Sequence, residues 1–134
     1  MVEPARRRRN ILSWIASILL ALIFLSEGAA KFPESRLWLR VFDQIGFGQW
    51  FRYFTGVVEI AGALLLIVPA TRLMGAALLA CTMCGALLVH AFVIGIGPPT
   101  AGVAMLLLML VAIGVDSFKK RRANQSGSSA RLPV

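Results

Sequence analysis

The stretch LMGAALLACTMCGALLVHAFVIGIGPPTAGVAMLLLMLVAIGV, residues 73–115, contains no Asp, Glu, Lys or Arg. Gly95-Ile96-Gly97-Pro98-Pro99 separates two apolar runs, residues 73–94 and 100–118, the second continuing past the uncharged stretch to Phe118. A hydrocarbon core of ~30 Å takes about 20 helical residues, so each run is long enough to cross a bilayer. Backbone polar groups find no water there, which makes these runs helices. Two further runs precede them. Residues 11–32 are interrupted only by Ser13, Ser17, Ser26, Glu27 and Lys31, and residues 51–68 are closed by Pro69. Pro98 and Pro99 suit the start of the last helix, where a missing N–H is harmless. The expected fold is an all-α integral membrane protein with four transmembrane helices.

Composition agrees. The chain has 134 residues, of which 58% are hydrophobic, and a mean hydropathy of +0.79. A soluble domain of that size would need a polar face on each helix. The net charge of +8 gathers at the two ends, in Arg6 to Arg9 and Lys119 to Arg122. Both runs abut an apolar span, so they read as cytoplasmic flanks of membrane helices and not as a nucleic-acid surface. Both termini are then expected in the cytoplasm, in a multi-pass protein of the inner membrane. Residues 1–10 form a basic N-terminus, 11–118 the membrane domain, and 119–134 a basic tail. From Ala123 onward the tail is polar and unpatterned, and expected to be disordered. The N-terminal arginines, apolar run and Gly28-Ala29-Ala30 also resemble a signal peptide. Removing that span would leave the other three oriented as before, and it is read as a retained helix.

The external loop after the first span is patterned. Leu37, Trp38, Val41, Phe42 and Ile45 fall at helical spacing, with Arg36, Arg40, Asp43 and Gln44 opposite. This predicts an amphipathic helix lying in the outer interface, anchored by Trp38.

Four ionisable side chains lie within the spans: Glu27, Lys31, Glu59 and His90. A charge at bilayer depth is costly unless paired or hydrated, so each is a functional candidate. At 1.5 Å per residue, Glu27 and Lys31 stand roughly 24 and 30 Å above Ile11. Glu59 lies roughly 12 Å below Phe51, and His90 about 26 Å above Leu73. All four are expected in the outer half of the bilayer, level with Arg52 and Tyr53, and to converge on a polar pocket open to the outside. Glu27 and Lys31 have the i,i+4 order of a helical ion pair. Glu59 has Arg52, Lys31 and His90 as possible partners. The alternative is a set of ion pairs that lock helix packing without a ligand. Small residues (Gly28, Ala29, Gly56, Gly62, Gly75, Ala76, Ala80) mark close helix contacts.

Cys81-Thr82-Met83-Cys84 has the spacing of a thiol–disulfide or metal motif. It falls near mid-membrane with no cation to lower a thiol pKa, and reads as small apolar packing. Met83, Met105, Met109, His90 and the cysteines are scattered soft ligands, and no metal site is expected. A lone histidine excludes bis-histidine haem ligation within one chain.

The segment Glu27-Gly28-Ala29-Ala30-Lys31-Phe32 resembles the end of the first helix in DoxX-like membrane proteins. Trp50-Phe51-Arg52-Tyr53-Phe54-Thr55-Gly56-Val57-Val58-Glu59-Ile60-Ala61-Gly62 resembles that family's second-helix motif, and His90 near the end of the third helix also matches. The similarity extends over residues 11–115. It implies a four-helix bundle with cytoplasmic termini. The family includes a subunit of a thiosulfate:quinone oxidoreductase and members linked to membrane redox-defence complexes, while most members have no established activity. It lends Cys81 and Cys84 no support.

Two functions are compatible with these residues. In one, the chain is a redox-associated membrane subunit whose outer pocket binds a quinone or quinol, or a small acidic partner. Glu59 and His90 would exchange protons with the quinol oxygens, while Lys31 and Arg52 stabilise anionic forms. In the other, it is a non-catalytic accessory or scaffold subunit of a larger membrane complex. The chain carries no complete redox centre of its own, so electrons would need a partner in either case.

Overall fold

In the computed structural model, which describes residues 3–129, the chain is helical nearly throughout. Helix α1 runs Glu3–Ala30, α2 Arg36–Ile45, α3 Gln49–Ile67, α4 Arg72–Val89 and α5 Pro98–Ser129. A single π-helical turn, His90–Ile94, continues α4. Four segments are long and apolar enough to cross a membrane: Arg7–Ala30, Gln49–Ile67, Arg72–Ile94 and Pro98–Ser126. The protein is an integral, multi-pass membrane protein.

The long helices form an antiparallel bundle, α1 against α3, α3 against α4 and α4 against α5, with the seam between α1 and α5 the thinnest. Its core joins Leu20, Ala21 and Phe24 of α1 to Ala63 and Leu66 of α3, Ala76, Leu79 and Met83 of α4, and Leu110 and Ile113 of α5. Outward positions such as Leu12, Leu19, Leu22, Leu64, Leu88 and Leu108 are exposed and apolar, as lipid contact requires.

Glycines set the closeness of the α1–α3 contact. A Cβ on Gly28 would stand 2.9 Å from the Gly56 carbonyl oxygen, and one on Gly56 would stand 3.0 Å from that of Gly28. Without side chains at either position, the two backbones touch.

Helix α2 forms over the amphipathic segment and packs on α3, with Leu37 of its apolar face left exposed. Phe42 is buried, Trp38, Val41 and Ile45 are half-buried, and Arg36, Arg40, Asp43 and Gln44 are exposed. Gly46, at φ 82°, ends the helix in the left-handed conformation, its N–H donating to the Phe42 carbonyl. Phe42 meets Phe51 edge-on at 6.0 Å between ring centroids, tying α2 to α3.

Three boundaries differ from the sequence reading. Helix α1 begins at Glu3 and not near Ile11, so Arg7, Arg8 and Arg9 belong to its early turns. Helix α5 continues through Ser129, where a disordered tail was expected from Ala123. Lys119 to Ala123 are good helix formers, and extending an existing helix through the weaker Asn, Ser and Gly positions that follow avoids the cost of nucleation. Residues 130–134 of that tail lie outside the described residues. The third span closes in a π turn, the Gly95 N–H returning to the His90 carbonyl at 2.9 Å.

Candidate functional site

The α1–α3 contact holds the buried charges. With Gly28 and Gly56 in backbone contact, the side chain of Lys31, one turn beyond Gly28, meets α3 at Glu59. Lys31 Nζ lies 2.5 Å from Glu59 Oε2, and the two side chains are 7% and 5% exposed. The ammonium also donates to the Glu27 backbone carbonyl at 3.3 Å. It sits 4.6 Å from the Trp38 ring centroid, a cation–π contact supplied by α2. The acceptors around Lys31 are therefore a carboxylate, a carbonyl and an aromatic face.

This corrects the expected helical pair. Glu27 does not take Lys31 as its ion-pair partner; it is exposed, although its charge still acts on Glu59. An i,i+4 pair on an isolated helix gains little. Here Lys31 points inward, and the glycine contact brings a second carboxylate from another helix nearer than the one on its own.

Arg52 is 1% exposed, and each of its three side-chain nitrogens donates a hydrogen bond. Its Nη1 donates to the Lys31 carbonyl and, at 2.9 Å, to that of Pro33. These oxygens lie just beyond α1, where helical carbonyls lack intrahelical partners. Its Nε donates to Gln49 Oε1 at 2.9 Å, its Nη2 to the Tyr53 hydroxyl at 2.9 Å, and its plane lies 4.4 Å from the Tyr53 ring centroid. Gln49 Nε2 in turn donates to Asp43 Oδ1 at 2.7 Å and to the Leu39 carbonyl at 3.3 Å. Arg52 and Gln49 thus bind the end of α1, α2 and the start of α3 into one unit. Sequence reading assigned Arg52 to an anionic ligand and did not single out Gln49. Its one signal was position, a polar residue opening a helix directly after the amphipathic segment.

His90 belongs to a different set. It opens the π turn, and its Nδ1 lies 3.1 Å from Thr100 Oγ1 on α5, which also accepts from the Gly97 N–H at 3.1 Å. The structure thus joins Lys31, Glu59, Arg52 and Tyr53 in one neighbourhood and gives His90 its own partner. Among the described residues no three His, Cys, Asp or Glu side chains gather as a metal site would require.

A sequence model of the DoxX-like family matches residues 15–118. The chain belongs to the DoxX-like family. The match reaches into all four membrane spans and includes Lys31, Glu59 and His90. No curated protein and no solved structure matches the chain.

Cys81 and Cys84 are free and exposed on the outer face of α4. Replacing both with Ala is expected to change unfolding free energy by no more than about 0.5 kcal/mol, since neither fills the core. Denaturant titration in detergent micelles checks this. A larger loss would show that the face is covered in the assembled protein.

Proposed function

We propose that this DoxX-like protein is a small accessory subunit of a larger membrane redox complex, in which its buried charges lock the helices together. The observation that carries this reading is that every side-chain nitrogen of Lys31 and Arg52 already donates within the bundle. Arg52 spends its guanidinium on two carbonyls, Gln49 and Tyr53, and Lys31 spends its ammonium on Glu59, Glu27 and Trp38. Groups held to receive a ligand would keep donors free to meet it. The arginine-rich ends support cytoplasmic termini in the inner membrane. In the Cys81→Ala, Cys84→Ala background, a single cysteine at Ser126 should then react only with reagent admitted to the cytoplasm. Native electrophoresis of gently solubilised membranes tests the function itself. The chain should migrate with a redox-active complex, and its deletion should deplete that complex. Migration as an isolated small protein, with every redox complex intact after deletion, would refute the accessory role.

One observation favours a second reading, quinone or quinol binding beside His90. The half-buried imidazole opens a π turn, a distortion often found at functional sites. Phe92 and Ile96 next to it are 83% and 82% exposed, an apolar rim suited to a ring ligand. With Nδ1 on Thr100, Nε2 is the nitrogen left to exchange a proton with a quinol oxygen. A sample purified with bound quinone, which His90→Gln releases while the fold is retained, is the expected result of that reading. Equal quinone content in both proteins would discard it.

A further inference from the structure

At the opposite end of the bundle, the start of α1, the α3–α4 turn and the last membrane turns of α5 enclose an open cleft of about 370 Å³. Arg7, Arg72 and Lys120 line it, with Asn10 beside them and Ile11 and Trp14 as an apolar wall. Arg72 is the unusual member. It is 7% exposed, its Nε donates to the Leu66 carbonyl at 3.3 Å, and its Nη2 is buried with no hydrogen-bond partner. A buried donor left unmade is costly, and natural structures rarely keep one without a use.

A second feature lies beside it. Arg72 opens α4, whose N-terminal amides have no side-chain cap. Thr71, at the capping position, turns its hydroxyl to the Leu65 carbonyl at 3.0 Å instead. The 18-residue helix α4 therefore presents uncapped N–H groups and the positive end of its dipole beside the Arg72 guanidinium, whose Nη2 has no partner. The neighbouring acid does not neutralise the cleft. Asp116 pairs with Lys120 at 2.5 Å, faces Arg9 at 3.8 Å and also acts on Arg72, so one carboxylate stands against Arg7, Arg9, Arg72 and Lys120 and the cleft keeps a positive excess. Arg121 donates to the Ala70 carbonyl, fixing α5 against the turn.

We infer that this cleft binds a phosphate group, presented by an anionic lipid headgroup or free in solution. The buried fork of Arg72 and the amides of α4 would receive the phosphate oxygens, with Arg7 and Lys120 at the rim. Basic pockets between membrane helices bind lipid headgroups in this manner, and Ile11 and Trp14 give a glycerol or acyl segment an apolar surface. The inference does not depend on the role proposed above.

The test uses the full chain in a neutral detergent, titrated with phosphatidylglycerol, phosphatidylcholine or inorganic phosphate. Thermal unfolding and native mass spectrometry provide the readouts. Phosphatidylglycerol should raise the unfolding temperature and remain bound at one molecule per chain, and phosphatidylcholine should do neither. Arg72→Gln should weaken retention about tenfold or more. Because Arg72 also holds the Leu66 carbonyl, Arg7→Glu at the exposed rim serves as a second variant that spares the fold. It should weaken retention by at least about fivefold. Arg122→Gln, which removes a positive charge outside the cleft, should leave retention unchanged. A shift reproduced by millimolar inorganic phosphate would assign the site to the free anion; one given by the lipid alone would assign it to a headgroup. Equal retention of phosphatidylcholine, or an Arg122→Gln loss as large as that of Arg7→Glu, would overturn the proposal.

Discussion

Replacing Lys31 with Met is expected to lower the unfolding free energy by about 3–5 kcal/mol, the cost of stranding one member of a buried ion pair. Glu59 would then lie 4% exposed between α1 and α3 without its counter-charge. Glu59→Gln should cost less. The ammonium left behind keeps the Glu27 carbonyl and the Trp38 ring, and its long stem near the end of α1 lets it reach the interface. Lys31→Met combined with Glu59→Leu should recover most of the loss, because a well-packed apolar pair often replaces a buried ion pair without penalty. SDS titration in mixed micelles gives the four free energies of this cycle. The accessory reading requires the coupling. Two single variants as stable as the wild-type chain would remove the idea that this pair locks the helices, and would leave the charges in need of a ligand.

That pair also shows how far the sequence could be read. Depth was legible, since residue number times rise places Lys31, Glu59 and His90 at similar heights along helices whose ends are marked by Pro69, Pro98 and the arginines. Rotation about each helix axis was not. A turn of the helix separates Lys31, which faces α3, from Glu27, which faces outward, although both lie on one stripe of the sequence. His90 lies at a similar depth, yet it meets Thr100. Helix α2 was readable because five apolar residues at the right spacing define a face regardless of what that face meets. Arg52 was misassigned for the opposite reason. Its partners include the backbone carbonyls of Lys31 and Pro33, and no side-chain pattern encodes a carbonyl oxygen. The cleft around Arg72 was hidden in the same way, since Arg7 and Lys120 read as topology signals and an orphaned donor appears only in three dimensions.

Among the described glycines, Gly75→Ala is expected to be the most damaging substitution. A Cβ there would stand 2.6 Å from the Leu66 nitrogen, 2.7 Å from the Gly62 carbonyl oxygen and 2.9 Å from the Leu65 carbonyl carbon. All three are backbone atoms of α3, so no rotamer change can clear the space and the two helices must move apart. Overpacking a close contact costs about 1–3 kcal/mol where side chains can adjust, and here the upper end or beyond is expected. Gly85→Ala is the matched control, with no atom within 4 Å of its Cβ. It should leave stability unchanged or raise it by up to about 1 kcal/mol through helix propensity. The α3–α4 contact has consequences at both ends of the bundle. Gly62 lies one turn from Glu59, and Gly75 one turn from Arg72, so separating α3 from α4 should loosen the Lys31–Glu59 pair and the cleft around Arg72 together. SDS unfolding of both variants checks the stability difference, and retention of phosphatidylglycerol by the Gly75 variant checks the cleft. A Gly75→Ala protein as stable as the wild type would mean that α3 and α4 do not touch through their backbones, and the positions of Glu59 and Arg72 would then need another cause.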